Sequence, residues 1–280
     1  MFYRKLRLFL CASTIFFSCL SFEVRASELD SVDSWNRSAW DDAWRSFGLI
    51  FEGFYKQFQV KNNLYYLPPA IGATWYAFEN DKNNSERAQR MKLRGHVDFV
   101  GEMGVPLNFP IISLGAYAWA AHTNDNHLAQ FAMEYFATLY LTLGESALIS
   151  FIDIHERPVA DENLNFWETT FRGDSSFPSG HVMPYTTLFF KTLQFYGPAW
   201  SIIPFGLTVM ASQQRVRDGK HYLSDVVGAF FLTAFASEGV RYANNYSGNH
   251  PFYQRVFERN IHVGLTSYNG TLGPMVSWDF

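Results

Sequence analysis

The sequence predicts an all-α fold, a helical bundle that ends in a small C-terminal β-hairpin. Two observations carry that expectation. Four apolar segments, Gly104 to Thr123, Phe131 to Ile154, Val182 to Ser212 and Val226 to about Val240, are separated by loops of Gly, Asn, Asp and Pro, and none alternates with a period of two. The tail does alternate. Ile261, Val263 and Leu265 precede Asn269-Gly270, a dipeptide suited to tight hairpin turns, and Leu272, Pro274, Val276, Trp278 and Phe280 follow it.

Taken in order, residues 1–26 read as a signal peptide. Arg4, Lys5 and Arg7 form a basic start, Leu8 to Phe22 is uncharged and mostly apolar, and Val24-Arg25-Ala26 offers the small residues a signal peptidase inspects. Both cysteines, Cys11 and Cys19, lie in this segment, so the processed chain would hold no thiol for a disulfide or a metal. Residues 27–93 are expected to be an N-terminal helical extension packed on the main body. Trp35, Trp40 and Trp44 fall at helix-face spacing and are expected in the core, and Glu79 to Arg90 is expected to be a solvated connection. Residues 94–243 hold the four apolar segments, with Pro198 and Pro204 expected to split the third into two helices. Residues 244–280 are a polar linker followed by the hairpin.

Composition narrows the function classes. With 48% hydrophobic and 17% charged residues in 280, the chain is globular or membrane-associated, not disordered, and a net charge of −4 gives no reason to expect a nucleic-acid partner. The apolar segments are short for a bilayer span of about 20 residues, or carry charge, or are broken by proline. A soluble or peripherally attached bundle is expected rather than an integral one.

Three polar clusters interrupt the apolar pattern. The window Arg215 to Asp225 sets His221 four residues before Asp225. On a helix the two would share a face, letting the carboxylate accept the proton of one ring nitrogen while the other points outward. An exposed helix start with ordinary charge pairing is the alternative. Phe177-Pro178-Ser179-Gly180-His181 precedes the third apolar segment. With Pro178 at a first helical position, the backbone N–H groups that follow, the Ser179 hydroxyl and the helix dipole would suit an anion. A plain helix cap is the alternative. Asp153-Ile-His155-Glu-Arg157-Pro158 closes the second segment, with Arg157 at its rim. His122 and His127, with Asp125 between them, are expected to be solvated loop residues rather than metal ligands.

Together these clusters resemble the type 2 phosphatidic acid phosphatase family, which includes bacterial class A acid phosphatases and vanadium haloperoxidases. The family pattern is Lys-x6-Arg-Pro, then Pro-Ser-Gly-His, then Ser-Arg-x5-His-x3-Asp. Arg157-Pro158, the stretch Pro178 to His181, and Arg215, His221 and Asp225 match it in order. Two positions depart: Ser150 stands at the motif lysine and Gln214 at the serine before Arg215. The missing lysine removes one positive charge, which His155, Arg217 or Lys220 could replace. The resemblance implies a helical domain of the acid phosphatase/haloperoxidase type and hydrolysis of a phosphomonoester or a lipid phosphate or diphosphate through a phosphohistidine. His221 would be the nucleophile, Asp225 its orienting group and His181 the acid and base. Arg157, Arg215, Ser179 and Gly180 would hold the phosphate, and no metal or other cofactor is called for. The expected partner is a phosphorylated small molecule or lipid, with possible membrane association, in the periplasm or at an envelope membrane surface. Two other readings stay open: a vanadate-dependent haloperoxidase, and a weakened anion-binding or envelope protein of the same fold.

Overall fold

The computed structural model describes residues 37–158 and 175–257 in full and the backbone of 261–268 and 271–278. The expected signal peptide, Trp35 and the Asn269-Gly270 turn lie outside the described residues.

Helix α1 (Ala39–Lys56) begins at Ser38, whose side chain accepts from the Asp41 N–H, and Asp41 and Asp42 sit at its positive end. Its buried face is Ser46, Leu49 and Gly53. A side chain on Gly53 would meet Val240 at 2.7 Å, and one on Gly239 would meet the Gly53 carbonyl at 2.4 Å, so glycine alone lets these backbones approach. The aromatic residues point the other way. Trp40 and Trp44 are 68% and 60% exposed, which overturns the expected core placement. Close contact through small residues leaves no room for indole rings on the inner face.

Helix α2 (Lys61–Glu79) carries Pro68 and Pro69 within it and buries Asn63, Ala70 and Ala77. The expected solvated connection is instead helix α3 (Asp81–Gln89), because Asp81 is buried and accepts from Ser224, both from its N–H at 3.0 Å and from its hydroxyl. Helix α4 (Gly95–Met103) and a 3₁₀ turn at Pro106–Asn108 lead to α5 (Ile111–Thr123). Helix α6 (Asn126–Ile149) starts at Asp125, which caps the Leu128 N–H at 2.9 Å. Helices α7 (Met183–Tyr196) and α8 (Pro198–Arg217) are divided at Gly197, whose φ of +83° suits glycine. Pro204 does not divide the chain a second time; it lies inside α8.

Helix α9 (Leu223–Asn244) lies against α1, α2, α6 and α7. Phe131, Tyr135 and Leu139 of α6, Tyr185 and Leu188 of α7, and Val226 and Ala229 of α9 share the main core. Among the described residues, α9 is the one single helix long and apolar enough to cross a membrane, yet most of that stretch is packed inside the protein. A charged cluster ties the same three helices: Glu134 of α6 binds Lys191 of α7 at 3.0 Å and Arg241 of α9 at 2.8 Å, all three buried. Helix α10 (Pro251–Phe257) follows, and β1 (Ile261–Tyr268) pairs antiparallel with β2 (Thr271–Trp278), Ile261 opposite Trp278 and Leu265 opposite Pro274.

Candidate active site

The site lies where the end of α8, the start of α9 and the segment ahead of α7 meet. Gly219, at φ +66°, turns the chain after α8 so that the Lys220 and His221 N–H groups both donate to the Arg215 carbonyl, at 3.1 and 3.4 Å. Arg215 and His221 are thus held on one turn, and both are buried. The Asp225 carboxylate accepts the Tyr222 N–H at 2.8 Å, closing the first turn of α9.

His221 precedes α9, so its pairing with Asp225 does not come from a shared helix face. It comes from that closed first turn, which leaves His221 Nδ1 3.4 Å from Asp225 Oδ2. A nearer acceptor is the Ser176 carbonyl, at 3.0 Å from the same nitrogen. Two acceptors on Nδ1 require the proton there, so when the ring is neutral the lone pair is on Nε2.

Asp225 also faces a second histidine. His155 Nδ1 lies 3.4 Å from Asp225 Oδ1, and its ring stacks on Tyr222 with centroids 4.0 Å apart. Burial pushes the Asp225 carboxyl up, but hydrogen bonds from His155 and His221, the His221 charge and the Tyr222 N–H together hold it well below the usual carboxylate range. Nearby Asp81 is raised, by burial first, against its bonds from Ser224.

Pro178 does not open a helix as expected. Helix α7 begins at Met183, and Phe177-Pro178 is a cis peptide ahead of a turn. The Ser179 N–H is occupied, donating to the Asp225 carbonyl at 3.1 Å, and this draws the turn across to α9. The Ser179 side chain is fully buried, and its hydroxyl has no hydrogen-bond partner among the described residues. Gly180 is buried, as is His181, whose ring lies 6.0 Å from that of His221. Gly104 supports this turn from behind, because a side chain there would meet the His181 carbonyl at 2.2 Å. Gly104→Ala is therefore expected to cost about 1–3 kcal/mol of stability, read from a urea midpoint, as overpacked sites do. A midpoint equal to wild type would show that the turn has room to yield.

Arg157 reaches the site from the far end of the chain that follows α6, its Nη1 donating to the Lys220 carbonyl at 3.3 Å. Lys220 is lowered by burial and by the Arg157 charge beside it. Ser150, at the motif lysine position, caps the end of α6. It is 1% exposed, its hydroxyl donates to the Ala147 carbonyl at 2.7 Å, and its carbonyl accepts the Ser175 N–H at 3.3 Å. Gln214 donates to Asp218 at 2.6 Å, and Arg217 pairs with Asp98 and Asp218, each at 2.6 Å.

The structure thus brings all seven sequence-predicted residues to one region and adds three groups that sequence reasoning did not assign: His155 on Asp225, the Ser176 carbonyl on His221, and Asp81 beneath Ser224. His127 is not the expected solvated loop residue. It is buried in the first turn of α6, its Nδ1 2.8 Å from the Tyr246 hydroxyl, and burial lowers it to about 4. His122 is exposed at the end of α5.

A family model, the PAP2 superfamily, matches residues 132–248, from within α6 to just past α9. That is the family the motifs resemble, and its members are phosphatases or related phosphoesterases. No curated protein and no solved structure matches the chain.

Proposed function

We propose, from the match of residues 132–248 to the PAP2 superfamily model, that this chain is a metal-independent phosphatase that acts on a phosphomonoester or a lipid phosphate through a phosphohistidine on His221. The observation that carries this reading is the pair of buried histidine rings 6.0 Å apart, His221 backed by Asp225 and the Ser176 carbonyl, with the Ser179 hydroxyl buried beside them.

In the first step His221 Nε2 attacks phosphorus, the bond from phosphorus to the leaving oxygen breaks, and His181 gives that oxygen a proton. In the second, His181 takes a proton from water as the water oxygen attacks phosphorus, and the phosphorus–nitrogen bond breaks. Arg157, Arg215, Ser179 and Gly180 hold the non-bridging oxygens as their charge develops. Lys220, set beside Arg157, supplies the positive charge that Ser150 does not. The start of the chain and the family's frequent membrane association support an exported enzyme working at an envelope membrane surface.

The leaving group tests the His181 role. With an alkyl phosphate, His181→Ala is expected to slow phosphate release by about 10²- to 10⁴-fold, the usual worth of a placed general acid. With p-nitrophenyl phosphate, whose phenolate departs without a proton, the loss should be much smaller. Equal losses on both esters would remove His181 as the acid. Wild-type protein that releases no phosphate from either would favour an anion-binding protein of this fold.

A further inference from the structure

The geometry points to the outer faces of α1 and α2 as a lipid-bilayer contact surface, completed by a basic stretch that favours anionic headgroups. This inference does not rest on the catalytic reading.

Both helices are inverted relative to helices that face water. A surface helix of a soluble protein turns its apolar stripe inward and its polar residues outward. Helix α1 buries Ser46, Leu49 and Gly53 and exposes Trp40, Trp44, Phe47, Phe51 and Phe54, one stripe at intervals of three and four residues. Phe51, at its centre, is 76% exposed. Beyond the acidic first turn of Asp41 and Asp42, its charged residues Arg45, Glu52 and Lys56 lie to one side of that stripe, at 100° per residue. Helix α2 has no charge between Lys61 and Glu79. It buries Asn63, Ala70 and Ala77, packs Tyr66 on Phe190 and Phe235, and exposes Leu67, Ile71, Trp75, Tyr65 and Tyr76 around much of the rest of its circumference. Helix contacts made through small residues, with large apolar side chains outward, suit a helix whose surroundings are themselves apolar.

Two features favour lipid over a second protein. A protein partner covers one side of a helix, whereas α2 is apolar and exposed around about two thirds of its circumference, all but the face of Asn62, Asn63, Tyr66 and Ala70 that touches the body. The chain that follows α2 is also charge-matched to a membrane surface: Lys82, Arg87, Arg90, Lys92 and Arg94 are all exposed, and Glu86 is the exposed acid among them. Aromatic and aliphatic residues that enter the headgroup boundary, joined to a basic segment that meets anionic lipid, are the two signals that together give firm surface attachment. A mostly apolar cavity of 460 Å³, bordered by Phe54, Phe58, Leu64 and Leu67, opens where the two helices meet α6 and α9, with Glu145 on its wall, and offers space for an acyl chain.

The test uses the full chain and vesicles of phosphatidylcholine with or without phosphatidylglycerol, the phosphatidylcholine carrying bromine on its acyl chains to quench tryptophan. Wild-type fluorescence is expected to be quenched, and the variant carrying Trp40→Phe, Trp44→Phe and Trp75→Phe should lose most of that quenching while still floating with the vesicles. This separates the proposed face from any attachment through residues 1–36, which the three changes leave intact. Replacing Arg87, Arg90 and Lys92 by Gln should weaken binding to phosphatidylglycerol vesicles by roughly fivefold per charge. Quenching unchanged in the tryptophan variant would overturn the proposal. So would a protein that forms a dimer split by Phe51→Glu and shows no tryptophan quenching with vesicles, which would make the face a contact between copies. Hydrolysis of a soluble aryl phosphate in the same variants should stay at the wild-type rate, so failure here and failure of the phosphatase reading are read from different assays.

Discussion

His221→Ala is expected to lower phosphate release from an aryl phosphate by about 10⁴-fold or more, the scale on which loss of a covalent nucleophile is felt. The argument rests on how the ring is held. Its backbone N–H donates to Arg215, its Nδ1 faces Ser176 and Asp225, and the whole residue is buried, so its orientation is fixed before substrate arrives. Asp225→Asn should cost less. The Ser176 carbonyl remains on Nδ1 and keeps the proton there, so the tautomer survives and only the stabilising negative charge is lost. Rapid quenching into alkali with radiolabelled substrate should trap labelled protein in the wild type and none in the His221 variant. A His221→Ala protein with an unchanged rate would end the assignment.

The sequence made the centre of this site legible because its residues are close together along the chain. Pro178 to His181 and Arg215 to Asp225 are short windows whose chemistry can be read by spacing. The supports were hidden for the opposite reason. Ser176 acts through a backbone carbonyl, which any residue carries, and Asp81 meets Ser224 across 143 positions. His155 stood beside Arg157 in plain view, but nothing in the pattern says that its ring turns toward Asp225 rather than solvent. Pro178 opens a turn rather than a helix, and that turn is held to α9 by the Ser179 N–H on the Asp225 carbonyl, a contact that no local propensity anticipates.

The fold shows a related limit. The helix-face spacing of Trp35, Trp40 and Trp44 was readable. Which face turned inward was not, because the usual rule places aromatics in the core. Here the Gly53 and Gly239 contact sets the packing distance instead, and the rule inverts. Likewise the charges within the apolar segments argue against a bilayer span, although two of them, Glu134 and Lys191, are one ion pair in the core.

Glu134→Gln is expected to destabilise the protein by about 3–5 kcal/mol in urea unfolding, the cost of leaving buried cations without their partner. Its carboxylate takes Lys191 on one oxygen and Arg241 and Asn244 on the other, the last two each at 2.8 Å, between three helices with no access to water. Burial raises the Glu134 carboxyl, but Arg241 and Lys191 outweigh it and hold the group below its ordinary value of 4.5. A carboxyl depressed on folding contributes stability that is present above its unfolded pKa and is lost as pH falls through the folded one. Wild-type stability should therefore decline below about pH 4.5, and the variant should lack this part of the decline. Lys191 has the opposite sense. Burial lowers it from 10.5 to about 8, so between those values the unfolded chain binds more protons and stability rises with pH. In Glu134→Gln the lysine loses its nearest anion and falls further, which widens that alkaline rise. Lys191→Met should cost much less than Glu134→Gln, because Arg241 still compensates the remaining carboxylate. Equal losses in the two variants would show that Lys191, not Glu134, is the centre of the cluster.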